Sequence, residues 1–571
     1  MAATELFSGE RVVVSMFISR VLLSVPPSLF YEAVGLCLLA VAALLLEIAF
    51  ERSPAAVDRF RTRLGASSGI LLGAITLPTV MLSRLIQLSR LLSIHDVGPE
   101  EIQHLSMQYW AVGVSCFSVL VFLFLALRHS FNSSSYFHRG IIQEAKFGIF
   151  YIIIYVIACS MSLAMKSNEG SLVAVKMLWL LSHGLACVTL IQHILHTFPS
   201  CASVGEALLV SSGLAFYFGD LLTYTLAKID PFLLLSESYF VNGSKSHIST
   251  IIQGFLLGLL LLPAFYKFVL HIWDNLSVPI KSKTQVGEGS SSSEFGRSIL
   301  FYASLAVLLI VIAPLWMEFV QDFHVHPLLW VFVFVITDPL ERLLLCVYWV
   351  GIICASVVRF YNISKHSRIE RILLRKYYHL VAVLMFLPAL LLQPKFLDLA
   401  FGAALAVFLI LEMIRVWKIW PLGHLVHEFM NAFTDHRDSE VLIVSHFSLL
   451  LGCALPKWLS LRFNDRPLAP FAGILSLGIG DTMASLVGHK YGVLRWSKSG
   501  KKTVEGTAAG ITSVLATCSV LLPLMASTSY ILSQHWLSLL VAVTVSGLLE
   551  AYTAQLDNAF IPLVFYSLLC L

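Results

Sequence analysis

The chain has 571 residues, of which 58% are hydrophobic and only 13% are Asp, Glu, Lys or Arg, with a net charge of +4. A soluble domain carries about twice that share of charge. The composition excludes a disordered chain, a collagen, a small secreted scaffold and one soluble core of this length. Ten Cys are scattered, mostly inside apolar runs and with no CxxC pair, so neither a disulfide framework nor a zinc site is expected.

Apolar runs of about twenty residues begin near Phe30, Ala66, Met107, Phe147, Leu172, Glu206, Ile251, Ser298, Leu343, His379, Leu397, Val441, Pro470, Gly506 and Ser529, and a shorter one follows Ala559. They predict an all-α polytopic integral membrane protein with roughly 14–16 transmembrane helices. Pro327 to Ile336 is too short to span and reads as an interfacial or re-entrant piece. The N-terminus lacks the basic start, apolar run and small-residue cleavage site of a signal peptide, and none is expected. Ser282–Ser293 is rich in Gly and Ser and reads as a flexible loop. Before it the spans are bland. After Tyr361 polar clusters punctuate them at short intervals, which suggests an N-terminal multi-span region over 1–360 and a catalytic multi-span region over 361–571.

Loop charge gives a topology for that second region. One side receives Arg359, Lys365, Arg368, Arg371, Arg375, Lys376, Arg415, Lys418, Arg437, Lys490, Arg495, Lys498, Lys501 and Lys502. The other receives only Lys395, Lys457, Arg462 and Arg466. The positive-inside bias places the first set in the cytoplasm, and the polar clusters with it.

Four clusters could carry chemistry. In Gly478–Gly506, Asp481 interrupts an apolar run, at about 2.5–3.5 kcal/mol on insertion scales. Ala484, Gly488 and Gly492 share its helical stripe, small enough to admit another backbone or a ligand. A packing seam explains that stripe equally well. The following loop gathers Ser497, Lys498, Ser499, Gly500, Lys501, Lys502, Thr503 and Gly506, with Glu505 where the next helix begins. Glycine amides, lysine charges and a helix N-terminus together suit an anion such as phosphate; attraction to anionic lipid is the plainer use. GKKT resembles the end of a P-loop, but Arg495 stands where that pattern needs Gly.

The second cluster is Arg375, Lys376 and His379, with Arg375 and His379 four apart at a span's start. The third is Asp435, His436, Arg437 and Asp438; its carboxylates can share a metal or cap the next helix, in which His446 reads as a buried hydrogen-bonded residue. The fourth is Glu550 to Asn558, where Glu550 and Asp557 lie seven apart on one face. Glu412, near Arg415, reads as an intrahelical ion pair.

Asp481-x-x-Ala484-x-x-x-Gly488-x-x-x-Gly492, followed by Lys501-Lys502-Thr503-x-Glu505-Gly506, resembles the signature of CTP-dependent polyprenol kinases. Arg375-Lys376-x-x-His379, Pro421–His424, Asp435-x-Arg437-Asp438-Ser439 and Leu548–Asn558 resemble the dolichol kinase family, as does Gly205–Val210. The close likeness runs from about Arg375 to the C-terminus; upstream it is mostly of hydropathy. Diacylglycerol kinases, shorter prenol kinases and CTP:phosphatidate cytidylyltransferases are similar around Asp481. The resemblance implies transfer of the γ-phosphate of CTP to dolichol at the endoplasmic reticulum membrane, with Mg²⁺ or another divalent cation, to give dolichyl phosphate for protein glycosylation. The implied partners are CTP, a dolichol or polyprenol and membrane lipids, with no nucleic acid.

On that chemistry Asp481 is the first-choice metal ligand, with Asp557 or Glu505 second. Nucleotide contacts are expected from the segment 489–506: His489, Lys490, Tyr491, Gly492, Arg495, Trp496, Ser497, Lys498, Ser499, Gly500, Lys501, Lys502, Thr503, Glu505 and Gly506. Arg375 and Lys376 are expected to join them. Asp435, His379 and Asp557 are candidate bases, and the sequence does not choose among them. A transporter or scramblase using Asp481, Glu550 and Asp557 as an ion path is the reading from another class; it leaves the Lys-Lys-Thr loop unexplained, and no inverted repeat is visible.

Overall fold

The computed structural model describes residues 8–53, 60, 62–63, 67–92, 99–131, 153–166, 170–198, 200–233, 246–277, 289–366, 371–431, 442–461, 465–496, 502–526 and 536–571. No strand occurs among them. In chain order the helices are α1 (Gly9–Leu22), α2 (Phe30–Glu51), α3 (Ile70–Leu92), α4 (Pro99–Phe131), α5 (Ile153–Met165), α6 (Gly170–Thr197), α7 (Val204–Leu233), α8 (His247–Ser277), α9 (Gly289–Val307) and α10 (Ala313–Val320). There follow α11 (Pro327–Thr337), α12 (Pro339–His366), α13 (Arg371–Leu392), α14 (Pro394–Trp417), α15 (Gly423–Asn431), α16 (Val444–Leu459), α17 (Thr482–Tyr491), α18 (Val504–Ala526), α19 (Trp536–Tyr552) and α20 (Asp557–Leu569). Helices dominate because a segment in hydrocarbon must satisfy its backbone hydrogen bonds within itself.

Among the described residues, ten helices are long and apolar enough to cross a membrane, and six shorter apolar helices accompany them. The chain is an all-α, multi-pass membrane protein. The run near Pro470 is broken: a 3₁₀ turn (Ala469–Phe471) and a π-helical stretch (Ile474–Asp481) precede α17. The run at Pro327 is a helix of 11 residues, too short to span. Helix α1 has no counterpart among the expected runs, because Glu10, Arg11 and Arg20 interrupt its apolar residues. Arg11 is buried in it by pairing with Glu47 at 2.7 Å and Glu51 at 2.6 Å. The expected Gly/Ser loop ends sooner than its composition suggests: Gly289–Ser293 already belong to α9, while 282–288 lie outside the described residues. Ser costs a helix at most about 0.7 kcal/mol against Ala, so a helix built on the apolar residues after Phe295 extends back through them.

The chain forms two compact units that interleave in sequence rather than dividing once near residue 360. Unit 1 is Met1–Asp220, Arg359–Leu387 and Leu451–Leu571; unit 2 is Leu221–Val358 and Pro388–Leu450. In unit 1, α3 is the central helix, buried along almost its whole apolar length. It packs on α2 and α4 and, from the far end of the chain, on α20. Its Thr76 and Thr79 hydroxyls return to carbonyls four residues back, and Ser83 Oγ meets Ser567 Oγ at 2.6 Å. Helix α1 packs on α19, so the two chain ends share one core.

Unit 2 centres on α8 packed against α9, α10 and α14 around Leu259, Leu262, Tyr266, Phe301 and Ile414. Glu412 and Arg415 form the expected intrahelical pair, doubly bonded at 2.7 and 2.8 Å, and Glu412 also accepts the Ile443 amide at 3.0 Å.

Candidate functional site

The site lies in unit 1 and is built on a break in a helix. A π-helical turn inserts a residue and leaves carbonyls free for other donors. Here Leu477 O accepts from His379 Nδ1 at 3.1 Å and from Thr482 Oγ1 at 3.4 Å. Asp481 closes the π stretch with its side chain turned into the protein, 3% exposed. Helix α13 turns Lys376, His379 and Val383 toward it from one face. Gly478 permits the approach, since a Cβ there would stand 2.2 Å from Val383 Cγ2.

Lys376 Nζ donates to Asp481 Oδ2 at 2.5 Å, and His379 Nδ1 stands 3.1 Å from the same oxygen. An unpaired carboxylate buried this deeply would cost several kcal/mol, and the lysine offsets that cost. Nδ1 of His379 faces two acceptors, the Asp481 carboxylate and Leu477 O, which assigns its hydrogen to that nitrogen.

The small-residue stripe after Asp481 admits the backbone of α18. A Cβ on Gly506 would lie 2.5 Å from Ala484 O and 3.0 Å from Gly488 Cα; one on Gly510 would lie 2.9 Å from Gly480 O. Between α17 and α18 the chain turns back on itself. Val504 N donates to Leu494 O at 2.8 Å and Trp496 N to Lys502 O at 3.2 Å, with a bridge between Arg495 and Thr503. Trp496 Nε1 donates to Thr507 Oγ1 at 2.9 Å, and its ring lies 5.2 Å from that of Tyr552.

At the base of this hairpin, Lys502 Nζ donates to the Glu550 carbonyl and stands 3.7 Å from Asp557 Oδ2. Asp557 is the first residue of α20, where the helix dipole favours an anion. Its Oδ1 is buried and makes no hydrogen bond among the described residues. The Glu550 carboxyl lies within electrostatic reach of Asp481, Lys502, Lys376 and Asp557. Asp481 with Lys376, and Lys502 with Asp557, therefore form two charge pairs, with the Glu550 carboxyl within electrostatic reach of both.

Of the residues expected to carry chemistry, Asp481, Lys376 and His379 meet in one contact and Lys502 and Asp557 in another. Lys376 has a nearer partner than a nucleotide, namely Asp481, and it shares that carboxylate with His379. The Arg375 side chain, Asp435 to Ser439, the His446 side chain and Ser497–Lys501 lie outside the described residues. Glu505 stands apart from the expectation of a metal ligand: both its oxygens take the Leu494 amide, at 3.0 and 3.2 Å. That amide sits at the mouth of the hairpin, and an acidic residue in the first turn of α18 is well placed to hold it.

His489, Lys490, Tyr491 and Arg495 are exposed around the hairpin, with Lys490 over the Tyr491 ring at 5.1 Å, and Gly492 packs on Thr503. Among the described residues no group of three or more His, Cys, Asp or Glu stands close enough to hold a metal ion. Glu550 is the member of the cluster to which sequence reasoning gave no nucleotide or metal role.

Comparison with known proteins places this architecture. A family model described as dolichol kinase matches residues 149–462. "Dolichol kinase EVAN" of Arabidopsis thaliana is 59% identical over 578 residues, covering 100% of this chain and 99% of that protein. Human dolichol kinase is 30% identical over 392 residues, 66% of each chain, and the Saccharomyces cerevisiae dolichol kinase is 33% identical over 240 residues, 42% of this chain and 43% of its own. The family model reaches well upstream of Arg375, further than the quoted motifs, and stops short of Asp481; the Arabidopsis alignment spans both. No solved structure matches the chain.

Proposed function

Since this chain belongs to the dolichol kinase family, enzymes that phosphorylate dolichol, we propose that it takes the γ-phosphate of CTP and that Asp481, Lys376, His379, Glu550, Lys502 and Asp557 form the transfer site. The observation that carries this reading is the convergence of those side chains beside a basic hairpin at the ends of apolar helices. Phosphoryl transfer asks mainly for positioning and charge stabilisation. Dolichol must stay in lipid and the nucleotide in water, and a site at helix ends serves both.

Asp481 and Asp557 suit Mg²⁺. That ion is held by one or two carboxylates, with water and substrate phosphates completing its shell, so a cage of three protein ligands is not required. The buried, unpartnered Oδ1 of Asp557 is an oxygen with lone pairs to offer a cation. When bound, the ion would offset negative charge on the phosphates. Lys502, already between Glu550 and Asp557, is positioned for a phosphate oxygen, and Lys498 and Lys501 lie close to it in sequence. Lys376 balances the charge of Asp481. With its hydrogen on Nδ1, His379 keeps the Nε2 lone pair for the proton of the dolichol hydroxyl. The loop charges favour the cytoplasmic side of the endoplasmic reticulum membrane, where CTP is available.

The test is Asp481→Asn, which preserves size and removes the charge. Turnover should fall by at least about a hundredfold, with membrane insertion and abundance unchanged. Near wild-type turnover at limiting Mg²⁺ would make Asp481 a packing residue and remove the site's centre.

A further inference from the structure

Helix α7 opens with Ser203-Val204-Gly205-Glu206, the pattern of a capping box. The geometry completes it: Glu206 N donates to Ser203 Oγ at 3.1 Å, and Ser203 N donates to Glu206 Oε2 at 2.9 Å. One oxygen of the carboxylate is enough for that box. The other, Oε1, accepts Leu556 N at 2.8 Å and Arg63 Nη2 at 2.8 Å. Leu556 is the residue immediately before α20, and its side chain cannot cap the helix. A single buried carboxylate, 3% exposed, thus holds the leading amide of two helices, its own and the one that begins with Asp557.

The rest of the 553–556 segment is held by the same part of the chain. Arg63 Nη2 also donates to Ala554 O at 3.3 Å. The fully buried Gln555 donates to Ser67 O and Ser67 Oγ, both at 2.9 Å, and accepts from Ser203 Oγ. Gly69, at φ +62°, and Gly205 let the backbones close in; a Cβ on Gly205 would stand 1.9 Å from Gly69 O, and one on Gly69 would strike the Gln555 amide. Nothing in 553–556 is α-helical, so these bonds, with those of Thr553 to Leu549 O and Glu10, fix it in place of a helical ladder.

We propose that Glu206 is a positioning residue for the phosphoryl-transfer site, setting Asp557 through the Leu556 amide. This rests on the reading of Asp557 as part of that site. Glu206→Gln keeps the volume but leaves one acceptor oxygen where two are used, so either Ser203 N or Leu556 N loses its partner.

The full-length protein, purified in detergent, is held at fixed CTP while Mg²⁺ is titrated. Both the nucleotide-dependent rise in melting temperature and the rate are followed. Glu206→Gln should raise the Mg²⁺ concentration for half-maximal effect about tenfold in both readouts, the scale of one charge-assisted hydrogen bond. The melting temperature without Mg²⁺ should move little. Arg63→Met, which removes the donor to both Glu206 and Ala554 O, should move the same readouts less and serves if Glu206→Gln does not fold. In an Asp557→Asn background Glu206→Gln should add no further shift in the thermal readout.

A lower Mg²⁺-free melting temperature with unchanged Mg²⁺ dependence would make Glu206 a structural cap only and overturn the proposal. So would a full additional shift in the double variant. If Asp557→Asn alone binds Mg²⁺ and CTP as the parent does, the assignment of Asp557 fails instead, and that outcome is read without Glu206.

Discussion

Asp481 and Lys376 are 105 residues apart, and neither explains itself alone. The carboxylate breaks an apolar run and the lysine begins one. Their 2.5 Å pair accounts for both, and the motif around Asp481 is legible in the sequence while its partner is not. Spacing reports faces of one helix; it does not report which helix comes to meet that face. The same limit applies to Glu206, whose capping box is written in the sequence and whose second contact, to Leu556, is not. Lys376→Met leaves a buried charge uncompensated and should cost about 3–5 kcal/mol, seen as a lower melting temperature and lower abundance. Adding Asp481→Asn to it removes the orphan charge and should recover most of that stability, with turnover still absent. Recovery of both stability and turnover in the double variant would show that the pair is structural and the chemistry lies elsewhere.

The elements follow from two features, apolar runs and small residues, and the second decides how closely they meet. The runs after Phe30 are visible in composition, and most appear as helices within a few residues of where they were expected. The exceptions have physical reasons. Helix α1 hides behind charges that Glu47 and Glu51 neutralise, and the run near Pro470 breaks because its π stretch turns Asp481 inward and offers Leu477 O to His379. The stripe is occupied by the α18 backbone at Ala484 and Gly488 and by the Thr503 side chain at Gly492. A methyl group at Gly506 would press on Ala484 O and Gly488 Cα, backbone atoms that cannot rotate away. Gly506→Ala should therefore lower stability by about 1–3 kcal/mol and spread α17 from α18, with a loss of turnover as the hairpin shifts. Gly351→Ala, in α12 with open space around it, is the control and should be neutral or slightly stabilising. Equal melting temperatures for the two variants would mean that the seam is looser than the backbone distances state.

For the whole molecule, the chain interleaves: unit 1 takes its helices from both ends of the sequence, and the proposed transfer site sits within it. A reading that divides the chain near residue 360 captures where the polar motifs lie. It omits the N-terminal helices on which Leu556 and Gln555 depend, because the composition of those helices is bland. Sidedness is a property at this scale. Of the four Asn-x-Ser sequons, at Asn132, Asn242, Asn275 and Asn362, the last lies in the last turns of α12, within the most basic stretch of the sequence. With the site facing the cytoplasm, Asn362 carries no glycan, and a thiol probe at Ser499→Cys reacts in sealed vesicles from the outside. Glycan at Asn362, or labelling of position 499 only after the vesicles are opened, would turn the site away from cytosolic nucleotide. The central claim is that one phosphoryl group passes from CTP to dolichol at the Asp481 cluster. The direct measurement incubates the purified protein with dolichol, Mg²⁺ and CTP labelled at either the γ- or the α-phosphate, and follows label in the lipid phase. The account predicts label from the γ position only, CDP as the other product, and none of either with Asp481→Asn. Label from the α position with release of pyrophosphate would make the protein a cytidylyl transferase and contradict it.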